Sequence, residues 1–188
     1  MQAPPYAEPP KKNNSTMIIL IVVGAIAVGG CAVIAIGAAI LFPVFSQARL
    51  AAKEAQSMSN LKQIGTALQI YVSETDGRLP NATSWQRALI DARLVRDATM
   101  FEDPILGVGG RVHGYAMNLA ASGVNILALS SPDRSVVTFT SKVLAADAAG
   151  AEGTVRLTPR GKTLIGFADG SSKAIPPEDV RSLFWKLR

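Results

Sequence analysis

From Met17 to Phe45 the chain reads MIILIVVGAIAVGGCAVIAIGAAILFPVF, 29 residues without one Asp, Glu, Lys, Arg, His, Asn, Gln, Ser or Thr. A hydrocarbon core of ~30 Å is crossed by about 20 apolar residues in a helix, so this run is long enough to span with some to spare. Lipid offers no partner for backbone N–H and C=O groups, so a lone spanning segment has to be helical. The next stretch, Ser46 to Tyr71, places Ala48, Ala51, Ala55, Met58, Leu61, Ile64, Leu68 and Tyr71 in steps of three or four. That spacing is one face of a helix. Arg49, Lys53, Gln56, Asn60, Lys62 and Gln63 fall mostly elsewhere. Pro43 predicts a kink rather than a stop, because the helical pattern continues beyond it. The reading is one long helix, transmembrane and then amphipathic, whose apolar stripe needs a cover.

The cover has to come from the remainder. Thr75-Asp76-Gly77 ends the helix, with Gly77 suited to a left-handed cap. Thr83-Ser84-Trp85-Gln86 reads as a capping box opening a second helix to about Leu94, with Trp85, Ala88, Leu89 and Ala92 inward. Asp103-Pro104 and the glycines from Gly107 to Gly114 mark a loop. Beyond it Tyr115–Asn118, Ser135–Thr140, Val143–Ala146, Thr154–Thr158, Leu164–Ala168 and Ser171–Ile175 read as strands. Asp169-Gly170 between the last two predicts a two-residue hairpin turn with positive φ at both positions. A final helical turn is expected in Pro177–Arg188, with Leu183, Phe184 and Trp185 packing back. The expected class is α+β: a long N-terminal helix on a small antiparallel sheet, with Leu61, Ile64, Leu68 and Tyr71 as the helix–sheet core.

The organisation that follows is a Pro-rich tail (1–16), a spanning helix (17–45) and one folded domain (46–188), which is enough chain for a modest core. The tail holds four prolines and no apolar periodicity, and is expected to be flexible. Pro4-Pro5-Tyr6 resembles a short aromatic-groove ligand, although a solvated tail is much the plainer account. Lys11 and Lys12 before the span are balanced by Arg49 and Lys53 after it, so charge does not set orientation. Residues 46–188 carry 17 Lys or Arg against 13 Asp or Glu, spread along the chain. That spread is no nucleic-acid footprint, and a mildly basic face near anionic headgroups is the plainer account.

Two features of the span bear on partners. Ala27, Cys31, Ala35 and Ala39 recur every four residues, with Gly24, Gly29, Gly30 and Gly37 nearby. Small residues at that spacing let another helix approach closely, a second copy included, yet Gly and Ala are also simply frequent in membrane helices. Val28-Gly29-Gly30-Cys31 resembles a lipobox, which would make Cys31 a lipidated N-terminus. The apolar stretch 32–45 follows where a lipoprotein normally turns polar, so Cys31 reads better as a helix-packing residue.

Little in the chain points to chemistry. His113 is the one histidine and Cys31 the one cysteine, which leaves no metal pair and no disulfide. No serine sits in a nucleophile-elbow setting. Gly107-Val108-Gly109-Gly110-Arg111 lacks the Lys-Ser/Thr ending of a phosphate loop. Asp169 is better explained by its turn than by calcium, which needs six to eight oxygens. Glu74 and Asp76 are ordinary capping and loop residues. No catalytic, cofactor-binding or metal residue is expected, and no enzyme.

From Ile40 onward the sequence ILFPVFSQARLAAKEAQSMSNLKQIGTALQIYVSETDGRLP is similar to bacterial type IV pilin-like proteins, the pseudopilin-type group with a DUF1559-like domain. Phe42-Pro43, Ala48-Arg49, Ser59-Asn60-Leu61-Lys62-Gln63-Ile64-Gly65 and Asp76-Gly77 carry the resemblance. Ser84-Trp85, Leu89, Asp103-Pro104, Tyr115-Ala116-Met117-Asn118 and Phe167-Ala168-Asp169-Gly170 follow in that group's order. The resemblance implies a single-pass protein of the bacterial inner membrane, N-terminus in the cytoplasm and folded domain outside it. It further implies other pilin-like proteins, or a type II secretion or type IV pilus-like apparatus, as partners. With Pro43 on that family's helix proline, Ile21, Val22 and Ile26 stand where the family has a Gly, the new N-terminus and a Glu. The prepilin cleavage motif is therefore lacking. Pro159 and Asp103 likewise replace a His and a Cys of the family's pattern.

Overall fold

The computed structural model describes residues 15–105, 114–141, 149–150 and 154–187. The expectations for 1–14, for the Gly107–Arg111 run, for His113 and for a strand at Val143–Ala146 lie outside the described residues. The chain divides into two compact units, Met1–Gln47 and Ala48–Arg188. Helix α1 (Ser15–Glu74) runs unbroken through Pro43, where the Ser46 hydroxyl donates to the Pro43 carbonyl at 2.8 Å.

The second unit is α+β. Its elements after α1 are α2 (Trp85–Asp91), β1 (Tyr115–Asn118), β2 (Val136–Thr140), β3 (Ala149–Gly150), β4 (Thr163–Phe167), β5 (Ser172–Ile175) and α3 (Pro177–Val180), with three short 3₁₀ turns between α2 and β2. The sheet order is β3-β1-β2-β4-β5. Four strands form an antiparallel sheet, and two-residue β3 joins its edge parallel to β1, a pairing the sequence did not suggest. The expected strand Thr154–Thr158 is reduced to one bridge, Ser141 with Val155. Its backbone is engaged otherwise. The Arg156 carbonyl accepts from the Thr140 and Thr163 hydroxyls, and Thr158 closes a turn with Gly161 and Lys162.

One face of the sheet meets the helices. Tyr115, Met117, Val137 and Leu164 pack with Leu61, Ile64, Ala67, Leu68 and Val72 of α1 and with Trp85 and Leu89 of α2. The other face, with Ala116, Val136, Phe139, Ile165 and Phe167, is covered by Val180, Leu183 and Trp185 of the C-terminal segment. Trp185 stacks edge-on against Phe139 at 5.1 Å and donates its indole N–H to the Val180 carbonyl. Phe184, expected to pack inward, is 43% exposed and lies under the Arg134 guanidinium. Because both faces are covered, β1, β2 and β4 are buried at every position. A bulge between Val136 and Thr138 lets both Val136 and Phe139 face the C-terminal segment.

The β4–β5 hairpin is tied directly to α1. Its turn holds three residues, not two. Phe167 accepts from the Gly170 N–H and donates to the Ser171 carbonyl, and of Asp169 and Gly170 only Gly170 has positive φ, +80°. This is a type I turn closed by a left-handed glycine. The Asp169 carboxylate fixes it by accepting from the Ser171 N–H and hydroxyl. A Cβ on Gly65 would stand 2.8 Å from the Gly170 carbonyl oxygen, so helix and turn meet backbone to backbone. Gln69 donates across the same contact to the Ala168 carbonyl.

At the end of α1 Gly77 is left-handed as expected, φ +83°, its N–H reaching the Val72 carbonyl, and Asp76 before it is left-handed too, φ +51°. The ends of α2 differ from expectation. Helix α2 starts after Ser84, whose side chain makes no cap, while Thr83 donates to Asn81 and Gln86 is buried, so the capping box does not form. The same helix stops at Asp91 because Arg93 turns left-handed, φ +57°, and Leu94 donates back to the Leu89 carbonyl. A side chain with a Cβ is strained there, and Arg93 is exposed. Arg93→Gly is therefore expected to stabilise the unit by about 0.5–1 kcal/mol, read as a higher denaturant midpoint at unchanged slope. A lower midpoint would refute the strain.

Candidate functional site

Two features stand out from a generic α+β unit. The first is the surface of α1 between Met17 and Phe45. Seventeen large apolar side chains there are exposed, from Val22 at 50% to Phe42 at 79%. Each is worth roughly 1.5–3 kcal/mol when removed from water, so leaving them all wet costs on the order of tens of kcal/mol. That exceeds the roughly 5–15 kcal/mol by which a folded domain is stable. The helix is long and apolar enough to cross a membrane, consistent with a membrane anchor. Ala27, Cys31, Ala35 and Ala39 lie exposed along it, and Gly24, Gly29, Gly30 and Gly37 have open space where a Cβ would be.

The second is a buried polar cluster where α1 meets β1. The Ser57 hydroxyl and the Tyr115 phenol lie 2.8 Å apart, both wholly buried, and the phenol also reaches the Ser57 carbonyl. Asp103 is 4% exposed and accepts from the Ile105 N–H at 3.0 Å. Burial pushes its carboxyl above the usual range, against the pull of the Ile105 N–H, the Ser57 hydroxyl, Arg156 and Lys53. Burial also pushes the Tyr115 phenol up, with the Asp103 charge adding to it, so the phenol stays neutral. A Cβ on Gly114 would overlap Asp103, so glycine is required beside the carboxyl.

Around this core Glu54 holds Arg160 at 3.3 Å. The other Glu54 oxygen, Arg156 Nη1 and Thr158 Oγ1 are buried without a hydrogen-bond partner. The gap between Asp103, Thr140, Arg156 and Thr158 is too tight to admit a water. Among the described residues the cluster joins α1 to the sheet, through Ser57 and Tyr115. A separate open groove of about 430 Å³, lined by Gln56, Asn60 and Gln63 of α1 and by residues 94–97, Thr99 and Met100, is polar and shallow. Among the described residues no three His, Cys, Asp or Glu side chains could share a metal ion.

Leu61 and Ile64 are wholly buried, Leu68 is 4% exposed, and Tyr71 is half-buried against the same cluster. Sequence reasoning passed over Ser57, Tyr115, Asp103 and Arg156. One signal was available: Glu54 and Ser57, polar and three residues apart, lie on the helix face that continues to Leu61, Ile64 and Leu68.

The raised Asp103 carboxyl has a measurable consequence. Its folded-state pKa lies above its unfolded value, so the charged form costs stability at neutral pH. That cost is relieved as pH falls through the folded pKa and is gone below the unfolded one. Wild type should therefore gain stability relative to Asp103→Asn as pH drops from 7.5 toward 4, in paired denaturant titrations. Parallel profiles would refute it.

No family model, no curated protein and no solved structure matches this chain.

Proposed function

We propose that this chain is a single-pass membrane protein of pilin-like, pseudopilin type, with a structural or interaction role. In this reading α1 is anchored in the bacterial inner membrane through 17–45, with the N-terminus cytoplasmic and the folded unit outside the cytoplasm. The unit would then engage other pilin-like proteins or components of a type II secretion or type IV pilus-like system. The observation that supports it is the continuous apolar surface of α1, seventeen exposed large side chains that only lipid or similar helices can cover. The Ser-Asn-Leu-Lys-Gln-Ile-Gly run within 59–65 and the sheet that buries its Leu61 and Ile64 add the pilin-like element.

Without a Gly–Phe–Glu start at 21–26, no prepilin processing is expected. The test is the intact mass of the protein extracted from membranes after an alkaline carbonate wash. An unprocessed chain that stays with the pellet is the expected result. A chain beginning at an acylated Cys31 would replace this anchor with a lipoprotein's, and a chain in the wash would remove the anchor altogether.

A further inference from the structure

The charges of the second unit are unevenly placed. Arg49 and Lys53 are exposed one turn apart on α1. Lys53 and Arg156 both act on Asp103, and Arg160 is held to Glu54 at 3.3 Å, which brings residues 156–160 against the same turns of α1. Lys162, exposed, closes the turn that begins at Thr158. Lys53, Arg156 and Arg160 thus gather around Glu54 and buried Asp103, with Arg49 one turn before Lys53 and Lys162 two residues after Arg160, five basic residues in all. The remaining described residues of the unit carry nine basic and nine acidic side chains. Essentially the whole positive excess of the described unit stands at the end where α1 enters it. Arg49 is four residues past Phe45, the last residue of the apolar run.

We propose that this basic end, formed by Arg49, Lys53, Arg160 and Lys162 with Arg156 behind them, is a docking face for the phosphate headgroups of anionic phospholipids. The inference rests on the membrane anchor proposed above and adds a lipid class to it. Charge complementarity selects the partner. Exposed cations a short helical distance from a hydrocarbon-spanning run meet the headgroup layer first, and each Lys or Arg close to an anionic surface is attracted by it within a Debye length. Guanidinium groups add paired donors suited to phosphate oxygens.

The full chain in nanodiscs tests this. Acetylation of lysines by a water-soluble reagent is followed by mass spectrometry in discs of phosphatidylcholine alone and in discs with one third phosphatidylglycerol. Lys53 and Lys162 should react roughly tenfold more slowly in the anionic discs, while Lys62 and Lys173 serve as internal references. The protection should vanish at high salt. Lys162→Glu, an exposed change, should reduce it at Lys53 without unfolding the unit. Equal rates in the two discs, or an equal slowing at all four lysines, would overturn the proposal. Protection in phosphatidylcholine discs on adding inorganic phosphate would assign the face to a free anion and overturn the lipid. Failure to enter either disc would instead refute the anchor.

Discussion

Leu61→Ala is expected to cost the folded unit about 2–5 kcal/mol, enough to lower its thermal midpoint by roughly 6–20 °C. Leu61 is wholly buried where α1, α2 and the sheet converge, and Ile64, Trp85, Tyr115 and Leu164 belong to the same cluster. Its loss leaves a cavity lined by backbone-fixed elements. The helix is pinned at Gly65 against Gly170 and at Ser57 against Tyr115, one turn to either side, so it cannot slide inward to fill the space. The companion change Ala55→Glu lies on the same sequence stripe but at an exposed position and should move the midpoint little. Circular dichroism melts of the two variants in detergent check both. Equal shifts would mean that α1 is not held by the sheet at Leu61.

The contrast between Leu61 and Ala55 also marks how far the sequence could be read. The stripe from Ala48 to Tyr71 is continuous in spacing, but burial begins only at Ser57, and Ala48 and Ala55 are exposed. Periodicity reports which face of a helix is apolar, not how much of its length finds a cover. The α+β class and β1, β2, β4 and β5 were legible because their apolar runs are bounded by Gly, Pro and Asp. β3 was not, since Ala149-Gly150 pairs only through a long-range parallel contact that leaves no local pattern. The hairpin illustrates the same limit. Asp169-Gly170 announces a turn, yet Gly65 sets its geometry from 105 residues away, by requiring the turn backbone to lie flat against the helix. At α2 the box pattern Thr83-x-x-Gln86 lost to burial: Gln86 turns inward beside Trp85, and Asn81 organises the entry instead. The polar cluster escaped notice because its members are single residues on separate elements, joined only by the fold.

The largest effect is expected from Val33→Arg combined with Ile36→Arg. Both positions are exposed on α1, 71% and 62%, and lie outside the Ala48–Arg188 unit, so the melting of that unit should be unchanged. Near the centre of the 29-residue run each arginine costs about 2.5–3.5 kcal/mol on insertion scales, roughly 5–7 kcal/mol for the pair. On the same scale each large apolar residue contributes only about −0.3 to −0.6 kcal/mol, and the glycines and Pro43 offset part of that. Two charges are therefore comparable with the whole driving force for insertion. The double variant should pass from the carbonate-resistant pellet to the wash while staying folded. Both positions lie beyond Cys31. If Cys31 were an acylated N-terminus, Val33 and Ile36 would lie in a tether outside the hydrocarbon, and the arginines would change nothing. Retention of the folded double variant in the pellet would thus sink the spanning helix, whereas its release separates a protein held by its own backbone from one held by a lipid.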